Sequence, residues 1–140
     1  NVFGAIGGKA NEIQPNKRML SSMSPTIMLT NNDVSLVTGS PGGTTIISSV
    51  YQSILNVIEF NMNANEAVNT ARFHHQLWPK DQVDHYKGIS QETLKSLHKM
   101  GYKTVEGSFG DLQLVIKQHG VFYAASEEGE FSRGVSLVIK

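Results

Sequence analysis

Cysteine is absent from the 140 residues of this chain. Its absence excludes disulfide bonds, thiolate metal sites and a cysteine nucleophile within the segment. The chain also has no excess charge of either sign, because 12 lysine and arginine residues balance 12 aspartate and glutamate residues. A balanced chain offers no electrostatic footprint for nucleic acid or an anionic membrane surface. We therefore predict no nucleic-acid partner and no thiol chemistry.

Long hydrophobic runs and charged residues are scarce as well. No apolar run approaches the roughly 18 to 20 residues of a membrane-spanning helix, and none is predicted here. Residues 1–8 lack the basic start and apolar core of a signal peptide, so any export signal is expected upstream. Charged residues make up only 17% of the chain, less than a free surface usually carries. One interpretation is that another subunit covers part of this surface.

Short apolar runs separated by turn residues predict two hairpins. The expected strands are residues 26–30, 34–38, 112–117 and 121–125. Asparagine and aspartate in the first loop, residues 31–33, tolerate the positive φ that a hairpin turn requires. The second loop, residues 118–120, has glycine last, which suits a three-residue loop with a bulge. Because the first two runs are nearly continuous, we expect both faces of these strands to be covered.

The clearest helix is predicted over residues 46–58. Its apolar residues recur at helical spacing: Ile46, Ile47, Val50, Tyr51, Ile54, Leu55 and Ile58. The opposite face is small and uncharged and can pack against protein: Ser48, Ser49, Gln52, Ser53 and Asn56. A shorter helix is predicted over residues 64–71 with Asn63 as its cap, and a third from Ser90 to Gly101. With the hairpins, these helices define the class as α+β.

The strand at residues 34–38 leads into Ser40-Pro41-Gly42-Gly43 and then into the first helix. Two consecutive glycines expose two backbone N–H groups at the positive end of a helix. Such a pair can hold an anion, or the oxyanion that develops when an acyl group is attacked. A tight strand-to-helix turn without any ligand explains the same pattern. The local sequence leaves both interpretations open.

Hydroxyl groups next to cationic side chains form a second candidate site. Ser21, Ser22 and Ser24 follow Lys17 and Arg18, a combination that can bind a carboxylate by charge-assisted hydrogen bonds. A solvated loop before a strand is the alternative. A serine nucleophile finds no support, because the residues around Ser40 do not match the G-x-S-x-G elbow.

His74 and His75 raise the question of a metal site, which we reject. Adjacent residues do not share a face of a helix or strand, and no further ligand follows at i+3 or i+4. With Trp78 nearby, a structural aromatic cluster is the favoured interpretation. The chain also lacks a Walker-type phosphate loop and a dinucleotide fingerprint. We predict no cofactor and no metal.

Three blocks of the sequence resemble the signatures of γ-glutamyltranspeptidases. They are residues 15–27 (PNKRMLSSMSPTI), 36–43 (LVTGSPGG) and 71–76 (ARFHHQ). The resemblance extends from Asn1 to about Ala125. It implies an N-terminal nucleophile hydrolase, a four-layer αββα sandwich formed when a precursor cleaves itself. A newly exposed threonine would then attack the γ-glutamyl carbonyl, and the acyl group would pass to water or to an amino-acid or peptide acceptor.

The resemblance also implies roles for individual residues. Gly42 and Gly43 resemble the oxyanion-hole pair, and Ser21 and Ser22 the pair that binds the substrate α-carboxylate, with Met23 beside them. Residues 1–17 resemble the end of a lid loop and an entry loop, and residues 18–140 the C-terminal part of the small subunit. In that lid, Phe3 stands where many bacterial members carry a gating tyrosine; its ring can still exclude water, but without the hydrogen bond of a phenol.

Other parts of the enzyme are expected outside this chain. The resemblance places the threonine nucleophile and acidic pocket residues upstream, and it implies a large-subunit partner and a periplasmic or secreted location. Alternatives remain within the superfamily, namely a poly-γ-glutamate transpeptidase, which residues 132–134 (SRG) resemble, or a cephalosporin acylase-like amidase. A non-catalytic scaffold or binding relative is an alternative of a different class.

Overall fold

The computed structural model describes residues 7–129, which form two sheets and three helices. The strands are β1 (Thr26–Thr30), β2 (Asp33–Gly39), β3 (Phe73–His74), β4 (Gln82–His85), β5 (Lys103–Glu106), β6 (Gln113–Gln118) and β7 (Val121–Ser126). The helices are α1 (Ile46–Ile58), α2 (Ala64–Asn69) and α3 (Gln91–Lys99). Single turns of 3-10 helix are formed by Lys9–Asn11 and by Gly43–Thr45. The predicted α+β class is confirmed.

The larger sheet is antiparallel, with strand order β1-β2-β6-β7. Both of its hairpins close through two-residue turns, because Thr30 pairs with Asp33 and Gln118 pairs with Val121. All four turn residues have positive φ, as a type I′ turn requires: Asn31, Asn32, His119 and Gly120. The predicted three-residue bulged loop at residues 118–120 is therefore wrong. Histidine adopts the left-handed conformation at position 119, which lets β6 pair through Gln118.

The smaller sheet has strand order β3-β4-β5 and was not predicted. Strand β3 has two residues and pairs antiparallel with β4, whereas β4 and β5 are parallel and connected through α3. Helix α3 begins as expected, since the Ser90 side chain accepts a hydrogen bond from the Thr93 N–H. It ends before Gly101, whose φ is +95°.

The main core lies between the larger sheet and α2. It contains Leu36, Leu112, Leu114, Ile116, Ala125, Ala64, Ala67 and Val68. Asn63 caps α2 by accepting from the Glu66 N–H at 3.0 Å, while the Glu66 carboxylate accepts from the Asn63 N–H at 2.9 Å. This reciprocal capping box fixes the start of α2 at the predicted residue. The helix ends at Asn69 rather than near residue 71.

Apolar side chains remain exposed on β1 and on α1. Ile27 and Leu29 of β1 are 66% and 58% exposed, so the expectation that both faces of these strands are covered is wrong for the described chain. On α1, Ser49, Ser53 and Asn56 are buried, as the small uncharged face allowed. Ile47 and Tyr51 of the same helix are 58% and 60% exposed.

Candidate active site

The turn between β2 and α1 requires glycine at Gly42. Its φ is +138°, a conformation that side chains disfavour, and a Cβ atom there would lie 2.5 Å from Thr45 Oγ1. The Thr45 N–H and hydroxyl both donate to the Gly42 carbonyl, at 3.1 and 2.9 Å. Gly43 follows with φ +58° and begins the 3-10 turn that leads into α1. Only glycine therefore fits at position 42, where the chain turns from β2 towards α1.

The N–H groups of Gly42 and Gly43 have no hydrogen-bond acceptor among residues 7–129. They precede α1, where the first N–H groups of a helix lack internal partners and the helix dipole is positive. Two free donors at a helix start are suited to an anion or a developing oxyanion.

The loop formed by residues 21–24 lies against this turn. The Ser22 hydroxyl donates to the Gly43 carbonyl at 3.2 Å, across 21 residues of sequence. Ser21 Oγ accepts from the Met23 N–H at 3.2 Å, and the Ser24 hydroxyl donates to the Ser22 carbonyl at 3.1 Å. The structure therefore places Ser22 in contact with Gly43, and Ser21 next to it in the same loop.

The other expected site residues form no hydrogen bond with the glycine pair in the described structure. Met23 is exposed beside the serines, and the Lys17 ammonium donates to the Glu12 carbonyl at 3.2 Å. Phe3 lies outside the described residues.

His74 has partners of its own within the fold. Its Nδ1 atom is 2.8 Å from Ser48 Oγ, and its Nε2 atom is 2.8 Å from Gln76 Oε1. Its ring packs at a tilt against Phe109, whereas Trp78 is 77% exposed. The expected aromatic cluster with Trp78 is therefore wrong for the described residues. Within residues 7–129 there is no group of three His, Cys, Asp or Glu side chains arranged to hold a metal.

Sequence reasoning missed a buried ion pair. Arg72 is 1% exposed, and its Nη2 atom donates to both carboxylate oxygens of Glu127 at 2.8 Å. Arg72 also donates to the carbonyls of Val68 and Phe109, at 2.8 and 3.3 Å. Arg72 lies in one of the three family blocks, but no local pattern reveals a partner 55 residues away.

Tyr86 completes this buried network. Its ring lies 4.4 Å from the Arg72 guanidinium carbon, and its hydroxyl donates to the Phe109 carbonyl at 2.8 Å. Burial and the neighbouring Glu127 carboxylate raise the pKa of Tyr86 to about 12. The hydroxyl therefore remains a hydrogen-bond donor at every physiological pH.

None of the helices in residues 7–129 combines the length and the apolar character of a membrane span.

Strand β2, the glycine pair, α1 and the adjoining serines form the candidate active site of this chain. The sequence model of the family described as Gamma-glutamyltranspeptidase matches residues 1–134. The chain belongs to the γ-glutamyltranspeptidase family.

Individual relatives agree with this assignment. The chain is 46% identical over 129 residues to the glutathione hydrolase proenzyme of Escherichia coli, covering 91% of this chain and 22% of that protein. It is 41% identical over 145 residues to the Pseudomonas aeruginosa proenzyme, covering 100% of this chain and 26% of the relative. The chain thus spans about a quarter of the length of these curated relatives.

Solved structures show the same fold. The γ-glutamyltranspeptidase of Helicobacter pylori matches with a TM-score of 0.83 and 48% identity, covering 91% of this chain and 71% of that one. The Pseudomonas nitroreducens enzyme matches with a TM-score of 0.87 and 38% identity, covering 100% and 74%. The transpeptidase CapD of Bacillus anthracis, at 22% identity and a TM-score of 0.71, shares the fold alone.

Proposed function

We propose that the complete protein cleaves γ-glutamyl amide bonds, as in glutathione, through a threonine acyl-enzyme. The acyl group then passes to water or to an amino-acid or peptide acceptor. In this proposal the present chain supplies the oxyanion hole, Gly42 and Gly43, and the carboxylate-binding serines, Ser21 and Ser22. The observation that carries the proposal is the 3.2 Å contact between Ser22 Oγ and the Gly43 carbonyl, which joins the two pairs.

The glycine pair supports the chemistry of acyl transfer. Attack on an amide carbonyl moves negative charge onto its oxygen, and fixed N–H donors stabilise that charge without reorganising during the reaction. The Gly42 and Gly43 amides are two such donors at the start of α1, since neither has an acceptor among residues 7–129. Their effect is expected on kcat, because the charge exists only in the transition state.

The serine pair supports recognition of the substrate. A hydroxyl can turn about its Cα–Cβ bond, so Ser22 can exchange the Gly43 carbonyl for a substrate carboxylate and form a stronger, charge-assisted hydrogen bond. In the proposal Ser21 binds the same carboxylate, Met23 lies beside it, and Phe3 belongs to a lid over the pocket.

The partners follow from the same proposal. The nucleophilic threonine comes from the preceding segment of the small subunit, and the large subunit of the same precursor covers exposed parts of this chain. A periplasmic or secreted location accompanies family membership, and we propose it here. The E. coli and P. aeruginosa relatives are described as proenzymes, which supports maturation by cleavage.

The complete precursor tests the oxyanion assignment. We expect wild type to release product from glutathione and γ-glutamyl-p-nitroanilide, and Gly42→Ala to lower kcat by about 10²-fold or more. Gly39→Ala is the matched control, because a Cβ atom at Gly39 meets nothing within 4 Å. An unchanged kcat in matured Gly42→Ala would remove the oxyanion role, and wild-type inactivity on both substrates would reject the proposed function.

The serine assignment has a separate test. Replacing Ser21 and Ser22 together by alanine should raise KM by about 10- to 100-fold for donors with a free α-carboxylate, since two hydrogen bonds to a charged group are lost. Donor analogues without that carboxylate should show little change. Ser96→Ala, on the exposed side of α3, is the control. An equal loss for both classes of donor would show that the serines do not recognise the carboxylate.

A further inference from the structure

Residues 109–112 connect the buried ion pair to the glycine turn, and we call them the 109–112 segment. Its first residue is fixed through the Phe109 carbonyl, which accepts from the Tyr86 hydroxyl at 2.8 Å and from Arg72 at 3.3 Å. Its last residue is fixed by Glu127. The Leu112 N–H donates to the Glu127 carboxylate and the Leu112 carbonyl accepts from the Glu127 N–H, both at 2.8 Å.

The middle of the 109–112 segment lies directly behind the glycine turn. A Cβ atom built on Gly42 would lie 3.3 Å from the Gly110 nitrogen, and one on Gly110 would lie 2.8 Å from Ser40 Oγ. The Asp111 N–H donates to Ser40 Oγ at 3.1 Å, and that hydroxyl donates to the Pro41 carbonyl at 2.7 Å. The two backbone segments therefore approach each other closely at Gly42 and Gly110, and the Ser40 hydroxyl connects them through the Asp111 N–H.

We propose that the Arg72–Glu127 pair, with Tyr86, positions the amides of Gly42 and Gly43 through the 109–112 segment. The pair fixes both ends of the 109–112 segment. Because Gly110 lies against Gly42, the segment limits how far the glycine turn can move towards it. These three side chains are positioning residues, because none of them is placed at the reacting atoms. The catalytic consequence rests on the proposed function, whereas the mechanical coupling does not.

This assignment explains why an ion pair is buried here. A buried ion pair stabilises a fold no better, on average, than apolar residues of the same volume, because both charges lose their hydration. Its specific effect is geometric, since Glu127 holds Arg72 and the Leu112 backbone at the same time. Donors to an oxyanion need such precision, because a displacement of about 1 Å can cost about 10²-fold in rate.

Tyr86→Phe in the complete precursor is the mildest test. It removes one hydrogen bond to the Phe109 carbonyl and keeps the ring against Arg72. We expect kcat to fall about 3- to 10-fold at unchanged donor KM. Tyr102→Phe, in the region of the smaller sheet, is the matched control and should leave both constants unchanged. Glu127→Gln should lower kcat further, by about 10²-fold if the protein folds.

Hydrogen exchange measured by mass spectrometry separates this inference from the proposed function. Exchange across residues 39–46 should be faster in Tyr86→Phe than in Tyr102→Phe, while residues 113–118 exchange as in wild type. Unchanged exchange across residues 39–46 in Tyr86→Phe would overturn the positioning role, whatever its kcat. A wild-type protein without γ-glutamyl turnover would reject the proposed function, and the exchange comparison would still decide the coupling.

Discussion

The two sides of α1 depart from the usual distribution of polarity in a surface helix, although Ile46 and Val50 are buried as expected. The side facing the rest of the chain buries Ser49, Ser53 and Asn56, whereas the side facing outwards exposes Ile47 and Tyr51. A helix of an isolated domain normally buries its apolar stripe and exposes its polar residues. On α1, small side chains bring the helix close to the chain, and larger apolar side chains are left uncovered.

Two of the buried polar side chains on α1, Ser53 and Asn56, form hydrogen bonds within the chain. The Ser53 hydroxyl donates to the Val50 carbonyl at 2.8 Å and is 3.2 Å from Thr38 Oγ1 on β2. The Asn56 amide donates to the Ala67 carbonyl of α2 at 3.1 Å. The Ser49 hydroxyl has no partner among the described residues, so what the three buried polar residues share is small size, which lets α1 approach the chain closely. The outer side of α1 is suited to contact with the proposed large subunit.

The largest effect on this comparison is expected from Ser53→Leu. Ser53 is fully buried, so a leucine must displace β2 and also removes the hydrogen bond to Val50. The free energy of unfolding of the complete protein should fall by about 3 kcal/mol, measured by chemical denaturation. Ser96→Leu makes the same change on the exposed side of α3 and should alter stability by less than about 0.5 kcal/mol. Equal effects of the two substitutions would contradict the close approach of α1.

A smaller effect is expected on the outer side. Replacing Ile47 and Tyr51 together by serine should lower the stability of the complete protein by about 2 kcal/mol if the large subunit covers them, because each is about half buried already. The conservative pair Ile47→Leu and Tyr51→Phe keeps the apolar area and should change little. Native stability in the serine variant would mean that this side faces solvent in the mature protein.

The two hairpins of the larger sheet were predictable because their information is local, whereas the pairing of β2 with β6, which joins Leu36 to Ile116, was not predicted. Strands β1, β2, β6 and β7 are short apolar runs bounded by turn residues, and each hairpin closes within two residues. Helix α1 was predicted at its observed bounds from its periodicity. What the sequence did not reveal was the orientation of α1, because the apolar pattern does not distinguish contact with this chain from contact with another.

The smaller sheet depends on pairing that local patterns do not record. Strand β3 has only two residues, and β4 pairs with β5 across α3. The candidate site divides in the same way. Gly42 and Gly43 were predicted from a strand, a glycine pair and a helix in sequence, whereas the 109–112 segment behind them depends on Glu127, 55 residues beyond Arg72.

The register of the larger sheet separates two ends of the molecule. Gly39 pairs with Gln113 at the end that leads to the glycine turn, while the turns at Asn31-Asn32 and His119-Gly120 lie at the opposite end. A strand of six or seven residues puts roughly 20 Å between these ends. An affinity tag or fluorophore inserted at either exposed turn would therefore be carried far from the chemistry, which makes these turns suitable attachment points for following maturation of the precursor.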